Sequence, residues 1–286
     1  MPKDHTLSLR EQWLAESLKK ARKRSGYTLE QVADHLQLDN STLSRFETGV
    51  YKIRRVYIKE LVDFYGIDQQ CERDKLIQLS QDAWRKDWWD GETDDLETGF
   101  IDYTWLEAKA KHIRVFTPML IPGLMQTREY ASAIMENDRR GVESREHAER
   151  MVELRIARQG ILTRKDPVRF SAVLEEAPLK RPIGSRTVLK DQLRHLLKLA
   201  AEDHVDLRVL PTDVGWHVGE NGPFTYFEMN DPFPDVAYVE NLVSRTFLED
   251  DAKVERFRIA YAELSQQAYS PCTTTEYITT LIEELS

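Results

Sequence analysis

Residues 40–48, NSTLSRFET, hold side chains that can make directed hydrogen bonds from one face of a helix. At 100° per residue, setting Leu43 at the centre of a buried side brings Phe46 and Glu47 within about 60° of it. Ser41, Arg45 and Thr48 then fall on the opposite side, flanked by Thr42 and Ser44. An arginine in that position can donate two parallel bonds to a guanine edge, while short hydroxyl side chains reach base edges or phosphates. Ser41, Thr42 and Arg45 are therefore the expected base-reading set. Asn40 and Ser44 are expected on phosphates, Asn40 at the helix end where free N–H groups and the dipole favour an anion. Lys19, Lys23, Arg55 and Lys59 from the flanking segments are expected to join them.

Phosphate contacts depend on local charge rather than on the total. The chain of 286 residues carries a net charge of −9, but unevenly. Residues 1–66 hold 12 Lys/Arg against 9 Asp/Glu, whereas residues 67–286 hold 28 against 40. The positive charge gathers in two runs, Lys19, Lys20, Arg22, Lys23 and Arg24, then Lys52, Arg54, Arg55 and Lys59. Either run alone reads as a solvated helix face; together they flank the helix 40–48.

The elements that must hold this face follow from caps and periodicity. Residues 7–25 read as a helix with Leu14, Leu18 and Ala21 on one side, ended by Gly26. Thr28 and Gln31 form a capping-box pair for a second helix that buries Val32, Ala33 and Leu36. Asp39 caps the third, Asn40 to Thr48, and Gly49 ends it. A fourth helix carries Val56, Ile58, Leu61, Val62 and Tyr65, and a fifth starts near Gln69. Glu47 sits close to the buried side, an expensive place for an unpaired carboxylate, and Arg22 on the first helix is its natural partner. An acidic, Gly-containing stretch after Trp84 marks a boundary: a helical domain over 1–85, a linker over 86–99 and a second domain over 100–286. Trp84, Trp88 and Trp89 read as a helix end packed on the second domain, or less simply as a stacking platform.

The run LKKARKRSGYTLEQVADHLQLDNSTLSRFETG resembles the Xre/Cro-type helix-turn-helix of phage and bacterial repressors, through Arg22, Gly26, Thr28, Ala33, Leu38, Ser44 and Glu47-Thr48-Gly49. The resemblance implies an internal Arg22–Glu47 ion pair and a second motif helix lying in the major groove. Leu29 stands where the family often has a backbone-touching Gln. Gln37 stands at the turn position that is usually Gly, so a left-handed backbone is expected there, at a cost of about 1 kcal/mol.

Beyond residue 100 the pattern mixes strands and helices. HIRVFTPMLIPG reads as a strand entering a Pro-Gly turn, and strands follow over 168–175, 205–211, 224–229 and 236–241. Between and after them lie helices capped by Thr127 and Ser144, a helix over 189–202 and one over 251–268. The expected fold is thus an all-α, five-helix N-terminal domain followed by a mixed α/β domain. IRVFTPMLIPGLMQTREYASAIM, RIARQGIL, VLEEAPLKRPIG and LRVLPTDVGWHVGENGPFTYFE resemble the C-terminal domain of a group of actinobacterial helix-turn-helix regulators. That group is described as antitoxin-like or developmental, and the resemblance implies a small partner protein.

Catalytic constellations are weak. Glu175 and Glu176 are neighbours and would point to opposite faces of a strand. GENGP lacks the Lys-Ser/Thr of a phosphate loop. The layout loosely resembles phospholipase-D-like domains, but His217 is followed by Val218-Gly219 rather than by a lysine two residues on. His112, His147, His195 and His204 show no ligand spacing. No catalysis, metal or cofactor is expected. Arg155, Arg158 and Gln159, one turn apart, could grip an acidic partner strip or simply pair on the surface, and Trp216 and His217 could line a ligand mouth or a packed loop.

Cys71 and Cys272 lie 201 positions apart, which is neither a disulfide framework nor a metal pattern. With no apolar run long enough for a bilayer and no secretion signal at the start, a cytoplasmic location is expected. The expectation is a DNA-binding transcription regulator, a homodimer on its operator, whose larger domain docks a partner protein; the alternative is a sensor of a small metabolite.

Overall fold

The computed structural model describes residues 7–84, 98–137 and 144–285. Its chain forms two compact units, Met1–Trp105 with Asp231–Phe233, and Leu106–Asn230 with Pro234–Ser286. The expected linker over 86–99 and Trp88 and Trp89 lie outside the described residues, except for the last two linker positions, which open a helix.

The first unit is helical: α1 (Leu9–Arg24), α2 (Leu29–His35), α3 (Asn40–Glu47), α4 (Arg55–Phe64), α5 (Gln70–Trp84) and the first part of α6 (Thr98–Lys109). Caps define the starts. Ser8 and Glu11 close a capping box on α1, Thr28 and Gln31 close one on α2, and Asp39 accepts from Thr42 N–H to start α3. Each satisfies main-chain donors that would otherwise be orphaned. Gly49 ends α3 at φ +70°, a conformation open to glycine without a Cβ penalty. Leu14, Leu18, Val32, Leu43, Ile58 and Leu61 are all nearly inaccessible, and burying each such side chain contributes roughly 1.5–3 kcal/mol. Trp13 packs on Trp105 and Phe233, ring centroids 5.8 and 5.9 Å away, which ties those later residues to this unit.

In the second unit, six strands make one sheet: β1 (Ala110–Thr117), β2 (Arg169–Glu175), β3 (Val205–Leu210), β4 (Phe224–Met229), β5 (Val236–Glu240) and β6 (Arg245–Leu248), in the order β3-β2-β1-β4-β5-β6. β1, β2 and β3 run parallel, and β4, β5 and β6 add antiparallel. The parallel crossovers carry α7 (Arg128–Asn137) and α8 (Arg145–Arg158), then α9 (Ala177–Lys180) and α10 (Arg186–Ala200); α11 (Asp251–Gln267) and α12 (Pro271–Glu284) close the chain. Thr127 and Ser144 accept from Tyr130 and His147 N–H groups at the starts of α7 and α8, as their positions predict. Phe116, Val173, Leu210, Phe224, Tyr261 and Leu264 form a core between sheet and α11.

The segment 211–223 leaves β3 and crosses the ends of β2 and β1 to enter β4. It is a strap over the sheet edge where Thr117 pairs with Leu174 and Phe116 with Phe224. Gly219 presses on the β1 end so closely that a Cβ there would sit 2.4 Å from the Phe116 ring. At β3, one end of the strand order, the chain covers Val209 with its own groups. Val209 N–H on β3 donates to Thr274 Oγ1 at 3.1 Å, and its carbonyl accepts from Tyr269 N–H at 2.8 Å.

Candidate nucleic-acid interface

The α2–turn–α3 unit is built around Gln37, whose φ is +55°. This is the left-handed turn expected from its position, made without glycine. Leu38 N–H returns to the Ala33 carbonyl at 2.8 Å and locks the turn. α3 then buries Leu43, Phe46 and Glu47 and leaves Ser41, Arg45 and Thr48 exposed. The carboxylate of Glu47 is not stranded: Arg22 Nε and Nη2 donate to its two oxygens at 2.6 and 2.8 Å, and Nη1 donates to the Tyr27 carbonyl at 2.9 Å. This two-pronged bond raises the Arg22 pKa and pins α3 to α1.

Arg45 is held in place on the exposed side. The turn after α3 folds back so that Val50 and Tyr51 N–H groups donate to the Arg45 carbonyl at 2.9 and 3.1 Å. The Tyr51 ring thereby comes under the guanidinium, 5.3 Å from centroid to carbon, with Nη1 3.4 Å from the hydroxyl. An arginine oriented before contact loses less side-chain freedom on binding. Tyr51 was not singled out from sequence; an aromatic residue just beyond a helix-ending glycine, six positions after an exposed arginine, is the signal that could have found it.

Ser41 and Thr42 are placed differently from expectation. Their hydroxyls donate to Asp39 at 2.5 and 2.7 Å, and these bonds hold the Asp39 carboxyl well below the usual range. In the free chain the two residues offer acceptor lone pairs rather than donors. The carboxylate also occupies the N-terminal end of α3, so a phosphate near Asn40 must compete with it.

The cations divide. Lys19, Lys20 and Lys23 line a cleft of about 900 Å³ with Gln12 and with Thr48, Gly49 and Val50 at the end of α3, so Lys19 and Lys23 share the Arg45 end of the unit. Lys59 instead lies beside His35, Glu60 and Asp63 in a separate cleft. Arg55 opens α4 and is exposed, and Ser44 is half-buried with its carbonyl accepting from the Thr48 hydroxyl at 2.8 Å. Lys52, from the second basic run, is used internally: Nζ is 2.5 Å from Glu11, 3.1 Å from the Ala83 carbonyl and 4.0 Å above the Trp84 ring.

In the second unit, the Arg155–Arg158–Gln159 group is turned inward rather than toward a ligand. Arg158, buried, makes paired bonds of 2.7 Å to both oxygens of Glu107, also buried. Burial raises the Glu107 pKa and Arg158 opposes that shift. Gln159 donates to the Gly123 and Gln126 carbonyls at 3.0 and 2.7 Å, and Arg155 donates to the Gln126 side chain at 2.9 Å. Gln192, wholly buried, completes the clamp on Met125 and Thr127. The IPGLMQT run is thus a structural hub, because α8 faces the turn it forms. Spacing alone could not reveal that inward face.

His217 is buried under the strap. Its Nδ1 accepts from Gly219 N–H at 3.1 Å, and Nε2 lies 3.5 and 3.7 Å from Glu175 and Glu220. Trp216 beside it is 78% exposed. Glu176 has left the strand to pair with Lys180 at 2.6 Å. His112, Ser171 and Glu228, on three adjacent strands, stand in the order of a base, a hydroxyl and an acid. Nε2 is 2.8 Å from Ser171 Oγ, but Nδ1 is 4.0 Å from Glu228, beyond hydrogen-bond range, and Glu228 is held by Lys111 and Arg114.

Burial, with Arg114 and Arg169 nearby, lowers the His112 pKa from 6.5 to about 4. Between those values the unfolded chain takes up a proton that the folded chain refuses, so this contribution is full above pH 6.5 and is lost as pH falls toward 4. About 1–3 kcal/mol of stability should disappear over that window. His112→Gln should flatten the dependence, and urea midpoints measured from pH 4.5 to 7 would show it; equal slopes for both proteins would remove His112 as the cause.

Two regions of the chain match known families. Residues 13–76 match one described as Helix-turn-helix domain, and residues 100–280 match one described as Domain of unknown function (DUF5753). No curated protein and no solved structure matches the chain. Among the described residues, no helix is long and apolar enough to cross a membrane.

Proposed function

Since the chain belongs to the DUF5753 family and carries a helix-turn-helix domain before that region, we propose that it is a sequence-specific DNA-binding regulator of transcription of the Xre/Cro type. The observation that carries this reading is Arg45, exposed on α3 and steadied by Tyr51 above a buried Leu43–Phe46 side. In this reading Arg45 reads a base, most simply guanine. Ser41 and Thr42 contribute as acceptors or by releasing Asp39. Lys19 and Lys23 meet the backbone at one end of α3. Two copies acting together place two such helices about 34 Å apart on a near-palindromic site.

The second unit then serves as the docking platform for a small partner protein in the cytoplasm, acting by binding rather than by catalysis. The exposed Trp216, on a strap anchored by His217, supports docking over an enclosed metabolite site. A shift in operator affinity on adding cell metabolites, without any protein partner, would favour the sensor instead.

The test is selection of duplexes from a random pool, followed by titration with Arg45→Ala. The variant should lose about 1–3 kcal/mol on the selected sequence and lose preference at one base pair. Raising salt should weaken both proteins on every duplex. Equal losses on selected and random DNA would refute base reading by Arg45, and a wild-type protein that retains no duplex at low salt would refute the reading as a whole.

A further inference from the structure

The exposed side of α3 keeps its hydrogen-bond donors and acceptors in separate places. Ser41, Arg45 and Thr48 are exposed there, opposite the buried Leu43. Thr48 has turned its hydroxyl proton to the Ser44 carbonyl at 2.8 Å. Ser41 has turned its own to Asp39 at 2.5 Å, and Thr42 beside it does the same at 2.7 Å. A hydroxyl has one proton and two lone pairs, so each of these can only accept from outside. Asp39 is exposed and accepts from the Thr42 N–H as well, at 2.8 Å; as a carboxylate it has nothing to donate. Asn40 could donate, but it stands about 60° from Leu43 on the helical wheel and leaves this side. Of the three residues opposite Leu43, Arg45 alone presents donors.

Major-groove edges sort in the same way. Cytosine N4 and adenine N6 are amino donors, whereas guanine O6 and N7 and thymine O4 accept. A negatively charged patch of acceptors attracts an amino group and repels a keto oxygen. Each base pair holds one amino-bearing and one keto-bearing base, so such a patch reads which strand carries which. Ser41 precedes Arg45 by four residues, a rise of about 6 Å, and successive bases lie about 3.4 Å apart. The acceptors and the guanidinium therefore fall roughly one to two base pairs from each other.

We propose that Asp39, Ser41 and Thr42 form an amino-selective patch, and that the operator half-site carries cytosine or adenine there, beside the guanine under Arg45. Asp39 is then a second specificity-determining residue, acting by its own charge and by holding two hydroxyl protons inward. The inference rests on the DNA-binding reading above.

Asp39→Asn tests the charge and the proton positions together. Asn caps a helix start as well as Asp does, so α3 is kept. Its amide nitrogen, standing for Oδ2, donates to Thr42 Oγ1 and frees that hydroxyl to donate outward. Asp39→Ser, another good cap, removes the carboxylate altogether. The full-length wild type and both variants would be titrated on the duplex the wild type selects, and on copies with one base pair changed at a time. Exchanging the amino-bearing base near the guanine for a keto base should weaken wild-type binding by roughly tenfold. Exchanging cytosine and adenine for each other should matter far less. Both variants should lose this discrimination and keep the guanine preference that Arg45→Ala removes. They should hold random duplex at least as tightly as wild type, because a negative charge near the phosphates is gone. Unchanged discrimination in the variants, no amino-selective position near the guanine, or an equal loss on selected and random duplexes would overturn the patch while leaving base reading by Arg45 in place. A wild type that selects no duplex would remove the DNA reading and the patch with it.

Discussion

Glu47→Ala should lower the stability of the first unit by about 3–5 kcal/mol, because it leaves the Arg22 guanidinium buried without its partner. Hydrogen exchange resolved over α1–α3 of the full chain would report it as lost protection. Duplex binding should fall in parallel, although Glu47 faces away from the proposed DNA side, since Arg22 and Glu47 fix how α3 leans on α1. The double variant Arg22→Met/Glu47→Leu separates charge from packing. Replacing both ions with apolar groups of similar volume should recover most of the loss. Unchanged protection in Glu47→Ala would mean that the pair contributes nothing.

The second large effect belongs to Arg158→Ala. Glu107 is 2% exposed, and without the guanidinium its carboxylate must either stay charged in an apolar setting or take up a proton. The second unit should lose about 3–5 kcal/mol, visible as a drop in the urea midpoint, with the loss shrinking as acid protonates the carboxyl, whose pKa burial raises. Arg155→Ala, one turn earlier, removes the bond to the Gln126 side chain rather than the partner of a buried carboxylate and should cost less, about 1–2 kcal/mol. Similar losses for the two would place Arg158 on an ordinary surface.

Local chemistry was legible in the sequence where one residue dictates the backbone next to it. Thr28 with Gln31, Asp39, Ser144 and the left-handed Gln37 all announce themselves within a few positions. The five longest strands also declare themselves, through apolar runs or, in β3, through apolar residues alternating with Asp206 and Arg208. β6 does not, because its two exposed and two half-buried residues carry no alternation to read. α12 is rich in Thr and Ile, which argue against a helix; Ser270 before Pro271 and the buried Ile278 and Leu281 supply the opposing signal. Arg158 and Glu107 lie 51 positions apart, and no periodicity joins them. In the candidate site, the exposed face of α3 follows from helical spacing alone. The Asp39 grip on Ser41 and Thr42 and the Tyr51 support under Arg45 depend on how two turns fold back, which spacing does not encode.

The cover that Thr274 and Tyr269 place on Val209 has a consequence for strand addition at the β3 edge. A sheet with two receptive edges behaves like a bifunctional monomer: each addition exposes a fresh site, and chains grow without limit. Val209 has already spent its outward N–H and carbonyl within its own molecule, so at that residue the β3 edge offers no pairing groups. Truncation before Tyr269, which removes Thr274 as well, would bare Val209 and invite strand addition at this edge.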